Sequence, residues 1–299
     1  MESTEPRLLP AEFHRDTVFV YPTTMRGHRL ELYVDSAGGD WIYTSTADAI
    51  GARHIVAATD TVWGSAELPP LRPEAWIPPP QPDGVILLNP DGPDPGDVRP
   101  PVGASGMLGQ RWFAERVWEI DYPQERVLVH AVSPSIGGTC VPLAFQEREG
   151  VRLCHFGRMQ VMIDGTPLDM LFDTGAHTRL SGAAGRVGVV GSVTATSFII
   201  ESIADGWAAA HPDWPVVRGA EAGSGAAMIR VPAVQIGEVR TGPIWFTCRP
   251  DVNLLEHMSQ WMDRPVVGAI GGNAFRRYRL IVDYPAAKLH IDGSHDLSA

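Results

Sequence analysis

The chain has 299 residues, 44% of them hydrophobic, enough for a sizeable core in one large or two medium domains. Its formal charge of −11 excludes a nucleic-acid surface, which rests on clustered Lys and Arg. No run of 18 apolar residues occurs, so a membrane span is excluded as well.

Cys140, Cys154 and Cys248 cannot all pair and match no zinc spacing, so a reduced compartment and no bound metal are expected. The opening residues lack an apolar signal region, which favours a soluble, cytoplasmic protein unless a leader has been removed.

With 31 Gly and 26 Pro punctuating short apolar runs, a mostly β architecture is expected. Residues 1–15 read as a loose leader. Thr17 to Tyr21 and His28 to Val34 read as strands, the second alternating polar with apolar up to Asp35. Thr46 to Gly51 suits a short helical turn, and Trp63-Gly64-Ser65 suits the tip of a mobile hairpin, where glycine permits unusual dihedrals. A Pro-rich excursion from Pro69 to Pro101 is interrupted by an apolar strand at Val85 to Leu88. The stretch from Ala131 to Gly150 has linker composition, and a boundary near residue 140 divides the chain into lobes 1–140 and 141–299.

In the second half, Met159 to Ile163, Asp164-Gly165 and Leu168 to Phe172 read as a hairpin with a two-residue turn. Ser181 to Gly185 suits a helical turn, and Gly223-Ser224-Gly225 suits a second flap tip. Ile200 to Ala210 and Leu254 to Trp261 read as short helices inserted into this half. The Arg276, Arg277 and Arg279 cluster reads as a solvated strand edge.

The two halves repeat one another. Gly27 to Gly39 and Gly165 to His177 share a turn glycine, an apolar strand, an aspartate (Asp35, Asp173), a hydroxyl residue (Ser36, Thr174) and a tight turn. Gly106 to Phe113 recurs at Gly268 to Phe275, and Glu119-Ile-Asp-Tyr-Pro123 recurs at Ile281-Val-Asp-Tyr-Pro285. The aspartates are displaced by 138 positions and the later blocks by 162, in fixed order, which reads as a duplication whose second copy carries a longer loop.

Phe172-Asp-Thr-Gly-Ala176, followed by Val267 to Gly271 and Val282 to Pro285, resembles the aspartic peptidase superfamily. The second half resembles a retropepsin-like lobe and the first half a diverged copy of it, as in bilobal pepsin-like enzymes, over nearly the whole chain. The resemblance implies two related β lobes with a cleft between them, a monomer acting on a peptide or protein, and no cofactor. It also implies that Ser36 and Thr174 bond across the two-fold axis, with Ala37, Gly38, Gly175 and Ala176 completing the loops.

Two carboxylates about 3 Å apart do not both ionise cheaply and share a proton. The ionised member then deprotonates a water while the other protonates the scissile carbonyl oxygen, an amide hydrolysis with no covalent intermediate or metal. Asp35 and Asp173 are the candidates. The sequence departs from the family at Ala37, where glycine is usual, and at His177, which contacts substrate, tunes the pair or satisfies a local hydrogen bond. Ala37 leaves room for a catalytically degenerate peptide-binding protein, and a homodimer pairing two copies of Asp173 is a further alternative. Asp35 in the matching place favours a single-chain enzyme. No dinucleotide fingerprint, phosphate loop or serine nucleophile elbow is present.

Overall fold

A computed structural model describes residues 5–59, 62–90, 103–135 and 137–293. The first lobe is an eight-stranded sheet ordered Ala11–His14, Thr17–Val20, Leu32–Val34, Gly106–Leu108, Trp41–Tyr43, Val85–Asn89, Gly64–Glu67, Arg53–Val56. The second is a nine-stranded sheet ordered Val239–Thr241, Val234–Ile236, Arg158–Ile163, Thr166–Phe172, Gly268–Ile270, Ser197–Ile200, Ile244–Arg249, Met228–Val231, Val216–Val217. From Thr17–Val20 and from Arg158–Ile163 onward, the two orders match strand for strand.

The directions match too. Leu32–Val34 runs parallel to Gly106–Leu108, as Thr166–Phe172 does to Gly268–Ile270. Trp41–Tyr43 and Ser197–Ile200 lie antiparallel to those inner strands. In each lobe the inner strand is therefore threaded between the two strands that flank the aspartate loop. The Asp164-Gly165 turn is as expected, with φ of 51° and 73°.

A six-stranded sheet joins the lobes, in the order Arg7–Leu8, Arg126–His130, Val117–Asp121, Arg279–Asp283, Lys288–Asp292, Thr139–Pro142. Its inner face carries Trp118, Ile120, Leu280 and Val282, all buried, into one core continuous through both lobes. Trp112 and Trp118 meet there at a 4.1 Å centroid separation. Each indole N–H is spent on a carbonyl, Pro78 O at 2.8 Å and Phe113 O at 2.9 Å, so these large side chains bury without an orphaned donor.

Four sequence expectations change. Residues 7–14 are not a loose leader: Arg7–Leu8 edges the central sheet and Ala11–His14 edges the first lobe, while Leu9 between them is buried. Arg279 lies on a central strand rather than an edge and is held by Asp292 at 2.8 Å. The helix Glu201–Ala210 is not an insertion, since Thr44–Ile50 follows the corresponding strand of the first lobe.

The fourth change concerns the loop that unbalances the repeat. Trp41 pairs with Met107 as Phe198 pairs with Ala269, a displacement of 157. Most of the difference between 138 and 162 therefore lies just after Asp173, in the extra hairpin His177–Arg179 and Val193–Ala195. The helical turns Asn253–Met258 and Ser259–Trp261 stand where the first lobe has its Pro-rich stretch, of which residues 91–101 lie outside the described residues. The strand Thr139–Pro142, at the expected boundary, pairs with Lys288–Asp292 of the second lobe.

Candidate active site

Each aspartate sits where the strand leading to it ends, and the threaded strand beside it fixes its backbone. Asp35 N–H donates to Leu108 O at 2.9 Å, and Asp173 N–H donates to Ile270 O at 3.0 Å. The next residues lock the lobes together. Ser36 N–H donates to Thr174 Oγ1 and Thr174 N–H donates to Ser36 Oγ, both at 3.0 Å. Ser36 Oγ then donates to Phe172 O at 2.9 Å, and Thr174 Oγ1 reaches Val34 O at 3.5 Å. All of these groups are buried, so breaking one partner would strand another without water.

The loops also supply donors to the carboxylates. Ala37 N–H donates to Asp35 Oδ1 at 2.9 Å and Gly175 N–H to Asp173 Oδ1 at 3.0 Å. Ala37 thus makes the same contact as its glycine counterpart, and its methyl packs against the second lobe's apolar cluster of Leu171, Ile200, Leu254, Met262, Val266 and Ala269. Gly175 has no such freedom, because an ideal Cβ there would land on the Asp35 carboxyl. A Cβ on Gly38 would meet Met107 Sδ and, at 2.9 Å, Asp35 Cγ. Ala176 is buried and accepts Thr196 N–H at 2.9 Å.

The two carboxyls are close enough to interact directly and are 8% and 6% exposed as whole residues. Burial pushes Asp35 above the usual carboxylate range, opposed by the Ala37 N–H and by His177. Asp173 goes well above it, from burial and from the Asp35 charge. The pair is therefore arranged to hold one proton between two carboxyls.

His177 Nδ1 lies 2.9 Å from Gly175 O and 3.1 Å from Tyr33 Oη. Trp63 is half exposed and meets Trp41 edge-on at 6.1 Å between centroids. Gly64 and Ser65 belong to the strand beyond the hairpin's tip. Gly64 is buried there, and an added Cβ would lie 2.5 Å from Ala58 N and Val56 O. Gly223, Ser224 and Gly225 do form an exposed turn, with φ of 96° and 73° at the glycines. That turn is tied down: Ser224 Oγ donates to Glu221 at 2.6 Å, and Glu221 takes Arg249 and Thr178 as well.

Two buried residues escape sequence reading. Asp40 accepts N–H donors from Gly109, Arg111 and Trp112 at 2.8, 3.0 and 3.1 Å, capping the turn beneath the first loop. Its counterpart is Ser197, which accepts Gly271 N–H at 3.1 Å, an equivalence hidden by the inserted hairpin. Tyr33 donates its hydroxyl to Gly175 O at 2.7 Å, reaching from one lobe into the other's loop. In sequence it reads only as an apolar strand position.

The whole chain superposes on solved structures of bilobal proteins. An aspartic proteinase from Irpex lacteus aligns over 99% of both chains with a TM-score of 0.51 and 11% identity. The chain has the bilobal acid-protease fold. A second neighbour within this fold is conglutin gamma, a basic 7S globulin from lupine seeds, with a TM-score of 0.50, 8% identity and coverage of 98% of this chain and 96% of that one. No family model matches the sequence, and no curated protein matches it at a significant level. One of these neighbours is a proteinase and the other a seed globulin, so the fold by itself leaves activity to the site. Among the described residues, no helix is long and apolar enough to cross a membrane.

Proposed function

We propose that this protein is an aspartic-type endopeptidase, hydrolysing peptide bonds with a water activated between Asp35 and Asp173. The observation that carries this reading is the reciprocal bonding of Ser36 and Thr174, which brings two buried carboxyls into hydrogen-bonding reach within one chain. In the reaction, the ionised member of the pair takes a proton from water as it attacks the scissile carbonyl carbon. The protonated member donates to the carbonyl oxygen, and as the C–N bond breaks the proton taken from water passes to the leaving amine while a hydroxyl of the tetrahedral carbon returns its proton to the second carboxyl. The substrate is an extended peptide, aligned by main-chain pairing.

A peptide-binding protein without turnover is the alternative, favoured by Ala37 and by the seed-globulin neighbour. Against it, Ala37 retains the N–H contact to Asp35, and the surrounding loop geometry is complete. Hydrolysis of a mixed peptide library at acidic pH, compared with Asp35→Asn and Asp173→Asn, tests the proposal. Cleavage lost in both variants supports it, whereas binding without cleavage in the parent favours the alternative.

A further inference from the structure

Ala37 and Gly175, two places after each aspartate, correspond in the repeat, and so do Tyr33 and Leu171, two places before. Both turns close in the same way: Gly38 N–H donates to Asp35 O at 3.0 Å, and Ala176 N–H donates to Asp173 O at 3.3 Å. Gly175 does not adopt a positive φ, so it serves space rather than a left-handed backbone; an ideal Cβ would lie 2.1 Å from Asp35 Cγ. That space brings conformational freedom with it. Glycine has a wider range of backbone dihedrals than alanine, so the Gly175–Ala176 peptide that closes the second turn is less constrained by its own chain than the Ala37–Gly38 peptide that closes the first.

The two turns are restrained by different means. Ala37 is pinned through its methyl, against the apolar cluster that contains Leu171. Gly175 has no methyl to pin and is held by its carbonyl oxygen, which accepts the Tyr33 hydroxyl at 2.7 Å. Tyr33 is fully buried, its ring packs on Phe19 at 5.1 Å between centroids, and its strand is paired on both sides, by Thr17–Val20 and Gly106–Leu108. His177 Nδ1 also lies 2.9 Å from Gly175 O, but it belongs to the same loop and moves with it. In a trans peptide the oxygen and the hydrogen point in opposite directions, so fixing Gly175 O aims the Ala176 N–H at Asp173. Burial and the Asp35 charge push the Asp173 carboxyl up, and the Gly175 and Ala176 N–H groups oppose them.

We infer that Tyr33 is a positioning residue for Asp173: its hydroxyl, acting across the lobes, locks the Gly175–Ala176 peptide and keeps the N–H groups of that turn on the aspartate. The inference rests on the peptidase reading for its effect on rate, while the lock itself is read without turnover.

Tyr33→Phe removes the hydroxyl and leaves the ring. Its kcat is expected to fall by about ten- to a hundredfold with KM within about twofold, because the aspartate shifts while the cleft does not. A hydroxyl that served stability alone would lower the urea midpoint and leave the kcat of the folded protein untouched. Backbone hydrogen exchange followed by NMR supplies the second readout: in Tyr33→Phe the Ala176 amide is expected to exchange about tenfold faster or more, with Gly38 unchanged. Ala37→Gly transfers the freedom to the first turn, where Leu171 offers no hydroxyl to restrain it, and is expected to speed the exchange of Gly38 and not of Ala176.

Ala176 protection indifferent to Tyr33→Phe, or Gly38 protection indifferent to Ala37→Gly, would overturn the inference, as would an unchanged kcat in Tyr33→Phe beside an active parent. If the exchange pattern holds but the parent cuts no peptide, the lock stands and the peptidase reading alone fails.

Discussion

Glu119 faces Ile281 across the antiparallel pair at the middle of the central sheet, and each is the other's counterpart in the repeat. A residue that pairs with its own copy marks the local two-fold axis. The same relation places Val117 opposite Asp283 and Asp121 opposite Arg279. The cross-lobe bonds of Ser36 and Thr174 obey it as well, so one axis organises both the shared sheet and the aspartate loops.

Asp35→Asn and Asp173→Asn are each expected to lower kcat by at least about a thousandfold, and the double variant to lose little more, because either change disables one unit. The parent's rate is expected to follow a bell on the acidic side, since one carboxyl must be ionised and the other protonated. Steady-state kinetics against pH check both. Full activity in Asp35→Asn would rule out a single-chain pair.

The two loop positions differ in what they tolerate. Gly175→Ala drives a methyl into the Asp35 carboxyl, so loss of activity and a destabilisation of about 1–3 kcal/mol are expected. Ala37→Gly removes a methyl packed in the second lobe's cluster and is expected to cost about 1 kcal/mol with little gain in rate. Urea melts and peptide assays separate the two. A large activation by Ala37→Gly would mean that the methyl obstructs the site.

Thr174→Val keeps the shape but gives Ser36 N–H no acceptor, and Ser36→Ala does the same to Thr174 N–H. Each is expected to cost about 1–3 kcal/mol. The double variant is expected to fall short of the sum, because both changes act on one network. Strict additivity in a double-mutant cycle would show that the two bonds are independent.

Burial pushes the Asp40 carboxyl up to about 6 against its three N–H donors. A carboxyl whose pKa rises on folding holds its proton more tightly in the folded state. Its contribution is therefore complete below the unfolded value of 3.8 and is lost as pH rises through about 6. Asp40→Asn stays neutral, so its stability relative to the parent is expected to improve by about 2–3 kcal/mol between about pH 4 and pH 7. An unchanged difference across that range would show that the N–H donors keep Asp40 ionised throughout.

Because one chain carries both aspartate loops, activity is expected in the fraction whose light scattering gives the mass of a single chain. Activity confined to a dimer would favour pairing of two Asp173 residues.

Much of the architecture is legible in local sequence because its determinants are local. An alternating strand, an aspartate, a hydroxyl and a tight turn recur at both sites, and Asp164-Gly165 announces its own hairpin. What escapes depends on distant partners. Arg7–Leu8 becomes a strand only through Arg126–His130, and nothing in its neighbours says so. Asp40 looks like any polar residue before a strand until the turn at Gly109 is folded onto it. Tyr33 occupies a position whose alternation calls only for bulk, and its hydroxyl acquires meaning from a carbonyl 142 residues away.

The shared sheet also limits how the molecule divides. Val117–Asp121 and Arg279–Asp283 come from different halves, yet each supplies the other's inner neighbour. A half expressed alone would bare one such edge, with Leu280 and Val282, or Trp118 and Ile120, stripped of cover. The complement of that edge is a strand of nearly its own pattern, so the natural fate of an isolated half is to find a second half, and the covalent link makes that encounter intramolecular.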